Sequence, residues 1–114
     1  MSSPSPESTV VVIATVWPRP GALGEVLDVV RANVPTVHEE DGCLTYAVHT
    51  APAGTDPDRV VFVERWTTHE ALAAHAASAH MARTNERLAP LLERPTEVLT
   101  AASVPMGTAA QGVF

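Results

Sequence analysis

The hydrophobic positions of the chain follow two periods, and these predict four strands and two helical regions. Short runs rich in β-branched residues and bounded by Pro, Gly or Asp are typical of strands. Longer runs with an apolar residue every three or four positions are typical of amphipathic helices. The predicted strands span residues 9–17, 43–50, 60–66 and 97–104, and the predicted helices span residues 22–40 and 69–92.

The first helical run contains a proline and is followed by a glycine. Pro35 lies inside the apolar stripe, and a proline removes one backbone donor and clashes with the preceding turn. We therefore expect Pro35 to kink this helix or to split it. Gly42 is expected to close the segment as its C-cap, because glycine readily adopts the left-handed conformation that ends many helices.

Residues 59–80 combine a strand, a helix start and most of the candidate chemistry. Thr67 can cap the second helix, and the glutamate three residues later can complete a capping box. Ser78 is a possible second N-cap, which predicts a break in this helix. On a straight helix His75 and His80 would point about 140° apart, whereas a break would let them converge. One face of the strand carries Val60, Phe62, Glu64 and Trp66.

The element order β-α-β-β-α-β predicts the α+β class, as a ferredoxin-like sandwich with one antiparallel sheet and both helices on one face. The first strand and residues 60–63 are apolar on both faces. Helices can cover only one of these faces, and an antiparallel sheet with a solvated face should alternate with polar residues. The other face is therefore expected to pack against a second copy of the sheet in a two-fold homodimer.

Composition and charge exclude several classes of function. The 114 residues are 46% hydrophobic, which suffices for one domain with its own core. The formal charge is −6 and all seven basic residues are arginine. Nucleic acid is therefore not an expected partner, and Schiff-base chemistry by a lysine is excluded. No run approaches the ~18 apolar residues of a membrane span. The single cysteine, Cys43, fits a reducing cytoplasm and is interpreted as a small buried residue.

The chain divides into three parts by composition. Residues 1–8 are rich in Ser and Pro, carry neither the basic nor the apolar segment of a signal peptide, and are expected to be a disordered leader. Residues 9–104 form the predicted domain. Residues 105–114 form a C-terminal tail of small residues without periodicity.

Two blocks of sequence stand out together. The first is Val34-Pro35-Thr36-Val37, followed by residues 39–43 and then Tyr46. The second is Phe62, Glu64, Trp66, then Glu70-Ala71-Leu72, His75, Ser78 and His80-Met81. Together they resemble the antibiotic biosynthesis monooxygenase superfamily, and in particular the F-x-E-x-W, eAL-x-x-H and s-x-H pattern of its small quinol monooxygenase-like proteins. The resemblance covers roughly residues 9–104.

This resemblance implies a dimeric α+β barrel with a pocket between the sheet and the helices of each subunit. Described members oxidise quinols or polyketide phenols with O₂ and use no metal, flavin or haem. A cofactor-independent monooxygenase with a small aromatic substrate is therefore expected. Other members degrade haem, and one branch isomerises a phosphorylated sugar derivative. Two alternatives stay open, a non-catalytic dimer that binds a small ligand and an isomerase of a small phosphorylated carbonyl compound.

Departures from the family pattern bear on two of these branches. The haem-degrading relatives carry a haem-ligating histidine near the position of Asn85 and an asparagine near that of Ala14, and neither residue matches here. A haem function is therefore not expected. Arg65 and Arg83 could hold the phosphate of an isomerase substrate, but no Gly-rich or clustered-Arg phosphate cradle is present.

The predicted site lies at the corner between the third strand and the second helix. Histidine is the usual general base near neutral pH, and a carboxylate beside it fixes its tautomer. Aromatic, amide and guanidinium groups could hold a substrate and donate to a developing oxyanion. No metal site is predicted, because the two histidines are five residues apart rather than four. The predicted catalytic residues are His75, His80 and Glu64, and the predicted substrate-binding residues are Trp66, Asn33, Tyr46 and Arg65.

Each of these residues also has a structural interpretation. Glu64 could be paired with an arginine in the core, where a lone carboxylate is costly. Trp66 could be a core residue, and either candidate histidine could lie on the helix surface. Tyr46 and His49 point to opposite faces of one strand, so at most one of them faces the pocket.

Overall fold

A computed structural model describes residues 9–114 of the chain. The predicted leader, residues 1–8, lies outside the described residues. No helix in the described part is long and apolar enough to cross a membrane. The strands are β1 Val10–Val16, β2 Cys43–Thr50, β3 Val60–Trp66 and β4 Glu97–Ala102. The helices are α1 Leu23–His38, α2 His69–Ala76, α3 Ala79–Leu88 and the short α4 Ala109–Gly112, with a 3₁₀ turn at Ala89–Leu91.

The four strands form one antiparallel sheet in the order β2-β3-β1-β4. β2 and β3 pair as a hairpin, whereas helical segments connect β1 to β2 and β3 to β4. α1 packs against α3 over the sheet. The predicted ferredoxin-like α+β fold is therefore confirmed.

The helix-side face of the sheet builds the core. Every second residue of β1 and of β3 is buried, which follows from the alternation of side chains along a strand. α1 buries the apolar stripe that its sequence period predicted. The buried apolar residues of this core include Val12, Val16, Val26, Val30, Val37, Val60, Phe62 and Trp66.

Pro35 does not split α1. The helix runs unbroken from Leu23 to His38, with Pro35 in its last turn. A proline at that place removes one backbone hydrogen bond. Val37, two residues later, is fully buried in the core. The split, one of the two expected outcomes, does not occur, because tertiary packing of the last turn outweighs the lost bond. The kink stays a prediction.

Gly42 does not cap α1 either. Glu39 is the C-cap, and Gly42 lies in the turn before β2 with a φ of 82°. A Cβ at this position would lie 2.5 Å from the Cβ of Ala71 and 2.6 Å from Oγ1 of Thr67. Glycine is required here because the start of α2 packs directly against the turn.

The N-cap of α2 is Thr68, one residue later than predicted. Thr68 Oγ1 accepts a hydrogen bond from the Ala71 N–H at 3.0 Å. Thr67 instead donates its N–H to the carbonyl of Gly42 at 2.9 Å. The predicted capping box from Thr67 is therefore wrong. The two adjacent threonines have the same side chain, and only the hydrogen bond from Thr67 to the turn at Gly42 distinguishes them.

Ser78 caps α3, as predicted. Its Oγ accepts a hydrogen bond from the Met81 N–H at 3.3 Å and donates to the carbonyl of His75 at 2.8 Å. The helical region is thereby broken between α2 and α3. The break brings the ring centroids of His75 and His80 within 6.4 Å, so the predicted convergence of the two histidines is confirmed.

Candidate active site

A cavity of about 490 Å³ lies between the helix-side face of the sheet and the helices. Its wall is mainly apolar, and its size is that of a small-molecule pocket. Arg94, just before β4, also lines it and holds its guanidinium 3.8 Å from the centre of the Trp17 ring. The other polar side chains on the wall are those of Asn33, Tyr46, Glu64, His75, Thr84, Asn85 and Thr96.

His75 lines this cavity and is held there by a carboxylate. α2 carries it over the sheet, where it is only 5% exposed. Its Nδ1 lies 3.0 Å from Oε1 of Glu40. A carboxylate at this distance favours the tautomer with the proton on Nδ1 and leaves Nε2 as the basic nitrogen. This carboxylate–imidazole arrangement is the one that general bases use in hydrolytic triads.

Glu40 reaches His75 from the turn between α1 and β2. The Glu40 N–H donates to the carbonyl of Val37, and the Glu40 carbonyl accepts from the Cys43 N–H, so the backbone of the turn is fixed on both sides. Gly42 lets α2 approach this turn closely. No sequence pattern pointed to Glu40, because it lies 35 positions from His75 and shares no local period with it. The carboxylate that orients the imidazole is Glu40, whereas the sequence had suggested Glu64 for that role.

Trp66 supports the site from behind the wall. It is fully buried and does not line the cavity. Its ring centroid lies 4.6 Å from that of His75, and its Nε1–H donates to Oε1 of Glu64 at 3.0 Å. Trp66 therefore positions two groups that do reach the cavity.

Glu64 is a buried carboxyl on the cavity wall, 4% exposed. Burial raises its pKa above the ordinary range, and the hydrogen bond from Trp66 and the nearby charge of His75 offset this only in part. The site thus contains a carboxyl group that holds its proton more tightly than a surface glutamate does.

Tyr46 is a donor rather than a base. Burial, together with the charges of Glu64 and Glu40, raises the pKa of its phenol well above the ordinary value. Its ring lies 5.6 Å from that of His75 and 5.6 Å from that of Phe62. Tyr46 therefore keeps its proton and can donate it in a hydrogen bond to a ligand oxygen.

Cys43 is a poor candidate for a nucleophile. Burial and the charges of Glu40 and Glu64 raise the pKa of its thiol. The thiolate is the reactive form, so these surroundings disfavour covalent chemistry at this sulfur.

His80 contacts the same Glu40 oxygen as His75 but does not line the cavity. Its Nδ1 is 2.9 Å from Oδ1 of Asn33, whose Nδ2 donates to Sδ of Met81 at 3.2 Å. Its Nε2 is 2.7 Å from the Glu40 oxygen that also contacts His75, although the ring is not aligned for a hydrogen bond. Glu40 therefore lies between two imidazoles.

The predicted site residues fall into three groups. Asn33, Tyr46, Glu64 and His75 line the cavity, and His80 and Trp66 contact members of that set without lining it. Arg65 lies apart from the cavity, because neighbouring residues of β3 point to opposite faces of the sheet. Its guanidinium is instead 6.0 Å from the centre of the Phe114 ring. Within residues 9–114 no group of three or more His, Cys, Asp or Glu is arranged to hold a metal ion.

Comparison with known proteins gives concordant matches. The sequence profile of the family "Antibiotic biosynthesis monooxygenase" matches residues 9–87. The Mycobacterium tuberculosis protein named "Putative monooxygenase Rv0793" is 30% identical over 102 residues, which cover 90% of this chain and 98% of that protein. The Escherichia coli K12 protein named "Probable quinol monooxygenase YgiN" is 38% identical over 78 residues, which cover 61% of this chain and 75% of that protein.

The solved structure of the Mycobacterium tuberculosis protein superposes with a TM-score of 0.77, over 90% of this chain and 99% of that chain, at 31% sequence identity. The profile match runs from β1 through most of α3 and so includes Glu40, Glu64 and His75. These relatives support a monooxygenase-type function at the level of the family. The chain belongs to the antibiotic biosynthesis monooxygenase family.

Proposed function

We propose that this protein is a cofactor-independent monooxygenase that oxidises a quinol or an electron-rich phenol with O₂. The observation that carries the proposal is the His75–Glu40 pair at the wall of a largely apolar cavity. An aromatic ring fits such a cavity, and its hydroxyl group offers a proton that a base can remove. Relatives named as a monooxygenase and a quinol monooxygenase support the same class of reaction.

The reaction begins with removal of the hydroxyl proton. Nε2 of His75 accepts this proton, and Glu40 stabilises the imidazolium through Nδ1. The substrate anion then transfers electrons to O₂, and oxygen adds to a ring carbon. For a hydroquinone the overall change is hydroquinone plus O₂ giving hydroxyquinone plus water. The substrate supplies all the electrons, so the protein contributes positioning, proton transfer and electrostatics.

Two further groups on the wall suit the substrate anion. Tyr46 keeps its proton and can donate to the substrate oxygen. Glu64 lies directly across the β2–β3 pair from Tyr46, and in its protonated form it can donate as well. A negative charge that develops between these two residues would be stabilised by both donors.

The functional unit that we propose is a homodimer joined through the outer face of the sheet, which is the face away from the helices. On this face Val11, Ile13 and Val63 are apolar and only half-buried. Leu99 of β4 pairs with Ile13 and is 62% exposed. A continuous apolar surface of this kind is typical of an interface between subunits.

Oxygen uptake with a panel of quinols and phenols tests the enzymatic proposal. The purified chain, freed of metal and flavin, is expected to consume O₂, and ¹⁸O₂ is expected to place one labelled atom in the product. His75→Gln should lower kcat/KM by about 10²- to 10⁴-fold. His69→Gln is the matched control, because His69 is an exposed histidine of the same helix. Binding of the phenols without O₂ uptake would overturn the oxygenase and favour a ligand-binding dimer.

An isomerase of a phosphorylated carbonyl compound has less support. Neither Arg65 nor Arg83 lines the cavity. Arg94 does line it, but its guanidinium is stacked on Trp17. Phosphate sites generally combine several donors, through clustered arginines or a helix N-terminus.

A further inference from the structure

The cavity extends along β1 from an acidic end to a basic end. Val12 and Val16 both line it, and four residues of a strand span about 13 Å. Val12 pairs with Glu64 and so marks the corner that holds His75. Within residues 9–114, Glu64 is the one acidic residue on the wall. The end at Val16 is therefore free of negative charge on its wall.

Arg94 lies at the Val16 end. The Glu93 N–H donates to the carbonyl of Trp17 at 2.8 Å, which holds this segment beside the end of β1. Arg94 follows directly and lines the cavity together with Thr96. Both residues are exposed, so the cavity opens to solvent at this end.

The guanidinium of Arg94 is oriented by a ring but has no anionic partner. Its central carbon lies 3.8 Å from the centre of the ring of Trp17, which is buried. Stacking of this kind uses the flat face of the cation and leaves the N–H groups at its edge able to donate. No carboxylate of residues 9–114 forms an ion pair with Arg94. The cavity thus has an uncompensated positive charge at its open end.

The wall between the two ends is apolar. Ala14 lies midway between Val12 and Val16, and it pairs with Phe62 on one side and Val98 on the other. Ala14, Phe62 and Val98 all line the cavity. A flat aromatic body suits this middle row, with its polar substituents directed towards the two ends.

We propose that Arg94 binds a carboxylate of the substrate, at the end of the molecule remote from the hydroxyl group that His75 deprotonates. This inference rests on the proposed function and narrows its substrate class to elongated aromatic acids. One planar guanidinium matches the two oxygens of a carboxylate with two parallel N–H donors. The hydroxyl group of Thr96 offers a further donor at the same end. Arg94 is then a specificity-determining residue that takes no part in the proton transfer.

The first test measures binding without turnover. Isothermal titration calorimetry under nitrogen compares a hydroxynaphthoic acid, with its two substituents at opposite ends of the rings, with the primary amide of the same acid. At neutral pH and low salt, wild type should bind the acid about tenfold more tightly than the amide, because only the acid is charged. This preference should shrink as salt is added, since Arg94 is exposed. Equal affinities in wild type, or tighter binding of the amide, would overturn the proposal.

Substitutions then assign the preference to Arg94. Arg94→Gln should abolish it, and Arg94→Lys should retain part of it, because lysine keeps the charge but not the paired donors. Arg87→Gln is the matched control, since Arg87 is an exposed arginine of α3 that does not line the cavity, and it should keep the wild-type preference. If Arg94 served only to hold Trp17, Arg94→Gln would weaken both ligands alike. An unchanged ratio of the two affinities would therefore also reject the carboxylate site.

Oxygen uptake separates this inference from the proposed function. With a hydroquinone that carries a remote carboxylate, Arg94→Gln should raise KM about tenfold with little change in kcat, because the contact is the same in the ground and transition states. A preference for the acid that Arg94→Gln removes, without O₂ uptake on any quinol, would keep the carboxylate site and reject the oxygenase. Uptake of O₂ on neutral quinols, with equal affinities for the acid and the amide, would reject the carboxylate site alone.

Discussion

The two faces of the sheet are made from the same kinds of residue but differ in how completely the chain covers them. The helix-side face of β3 carries Glu64, whose carboxylate accepts a hydrogen bond from Trp66. The outer face carries Arg65, whose Nε is buried and has no hydrogen-bond partner within residues 9–114. Glu64 thus has a hydrogen-bond partner within the chain, whereas Nε of the adjacent Arg65 has none among the described residues.

This difference separates the proposed chemistry of the protein from its proposed assembly. The helix-side face encloses a cavity and concentrates its polar groups at the corner around His75. The outer face carries the half-buried apolar residues Val11, Ile13 and Val63, which suit the proposed contact with a second sheet. Substitutions on one face should therefore change rates, and substitutions on the other should change the oligomeric state.

After the loss expected for His75→Gln, the largest effect is expected at Tyr46, on the helix-side face. Tyr46→Phe should lower kcat/KM by about 10²-fold, because it removes one donor to the developing oxyanion. The raised pKa of Tyr46 means that this phenol adds no basic limb to the rate profile near neutral pH. Initial rates of O₂ uptake against pH should thus fall uniformly, with no change in the shape of the profile. A wild-type rate in Tyr46→Phe would remove Tyr46 from the mechanism.

A second effect should appear at the turn that carries Glu40. Gly42→Ala should destabilise the fold by about 2 kcal/mol or more, because the φ is left-handed and the new Cβ meets Ala71. Urea unfolding measures the change. Gly24→Ala is the control, since Gly24 lies inside α1 with nothing near its Cβ and should gain about 0.5–1 kcal/mol. Equal stabilities of the two variants would mean that the close approach of α2 to the turn is not required.

A substitution on the outer face should change the oligomeric state rather than the reaction rate. Ile13→Glu places a carboxylate in the proposed interface and should weaken dimerisation at least about tenfold, or roughly 1.4 kcal/mol. Sedimentation at micromolar concentration should then show the chain mass in place of twice that mass. Ala82→Glu makes the same charge change at an exposed position of α3 and should leave the mass unaltered. A wild-type mass for Ile13→Glu would place the interface elsewhere.

The fold was predictable from sequence because its signals are local. Alternation along β3 and the period of α1 each lie within one element, and Ser78 marks the break between α2 and α3 by its own side chain. The site was predictable only in part. His75 and Glu64 lie in a single stretch of chain, but Glu40 joins them only after the α1–β2 turn folds against α2. Such a contact depends on tertiary packing, which no spacing in the sequence encodes.

The smallest expected effect is a change in the free energy of unfolding at Glu64, the neighbour of Arg65 on β3. Burial raises the pKa of Glu64, so the folded state favours the protonated carboxyl more than the unfolded state does. The stability that this preference contributes is fully present below the ordinary carboxyl pKa of about 4.3 and is lost as pH rises through the folded-state pKa. Glu64→Gln mimics the protonated form.

At neutral pH, Glu64→Gln should therefore raise the free energy of unfolding by on the order of 1 kcal/mol. The gain should shrink as pH falls through the folded-state pKa of Glu64 and should be gone below about 4.3. Denaturant unfolding at neutral and acid pH measures the difference between variant and wild type. A variant that is less stable than wild type at every pH would mean that the carboxylate is stabilised by its surroundings. The predicted gain would instead show that the site keeps an ionisable group at a cost in stability, as functional sites often do.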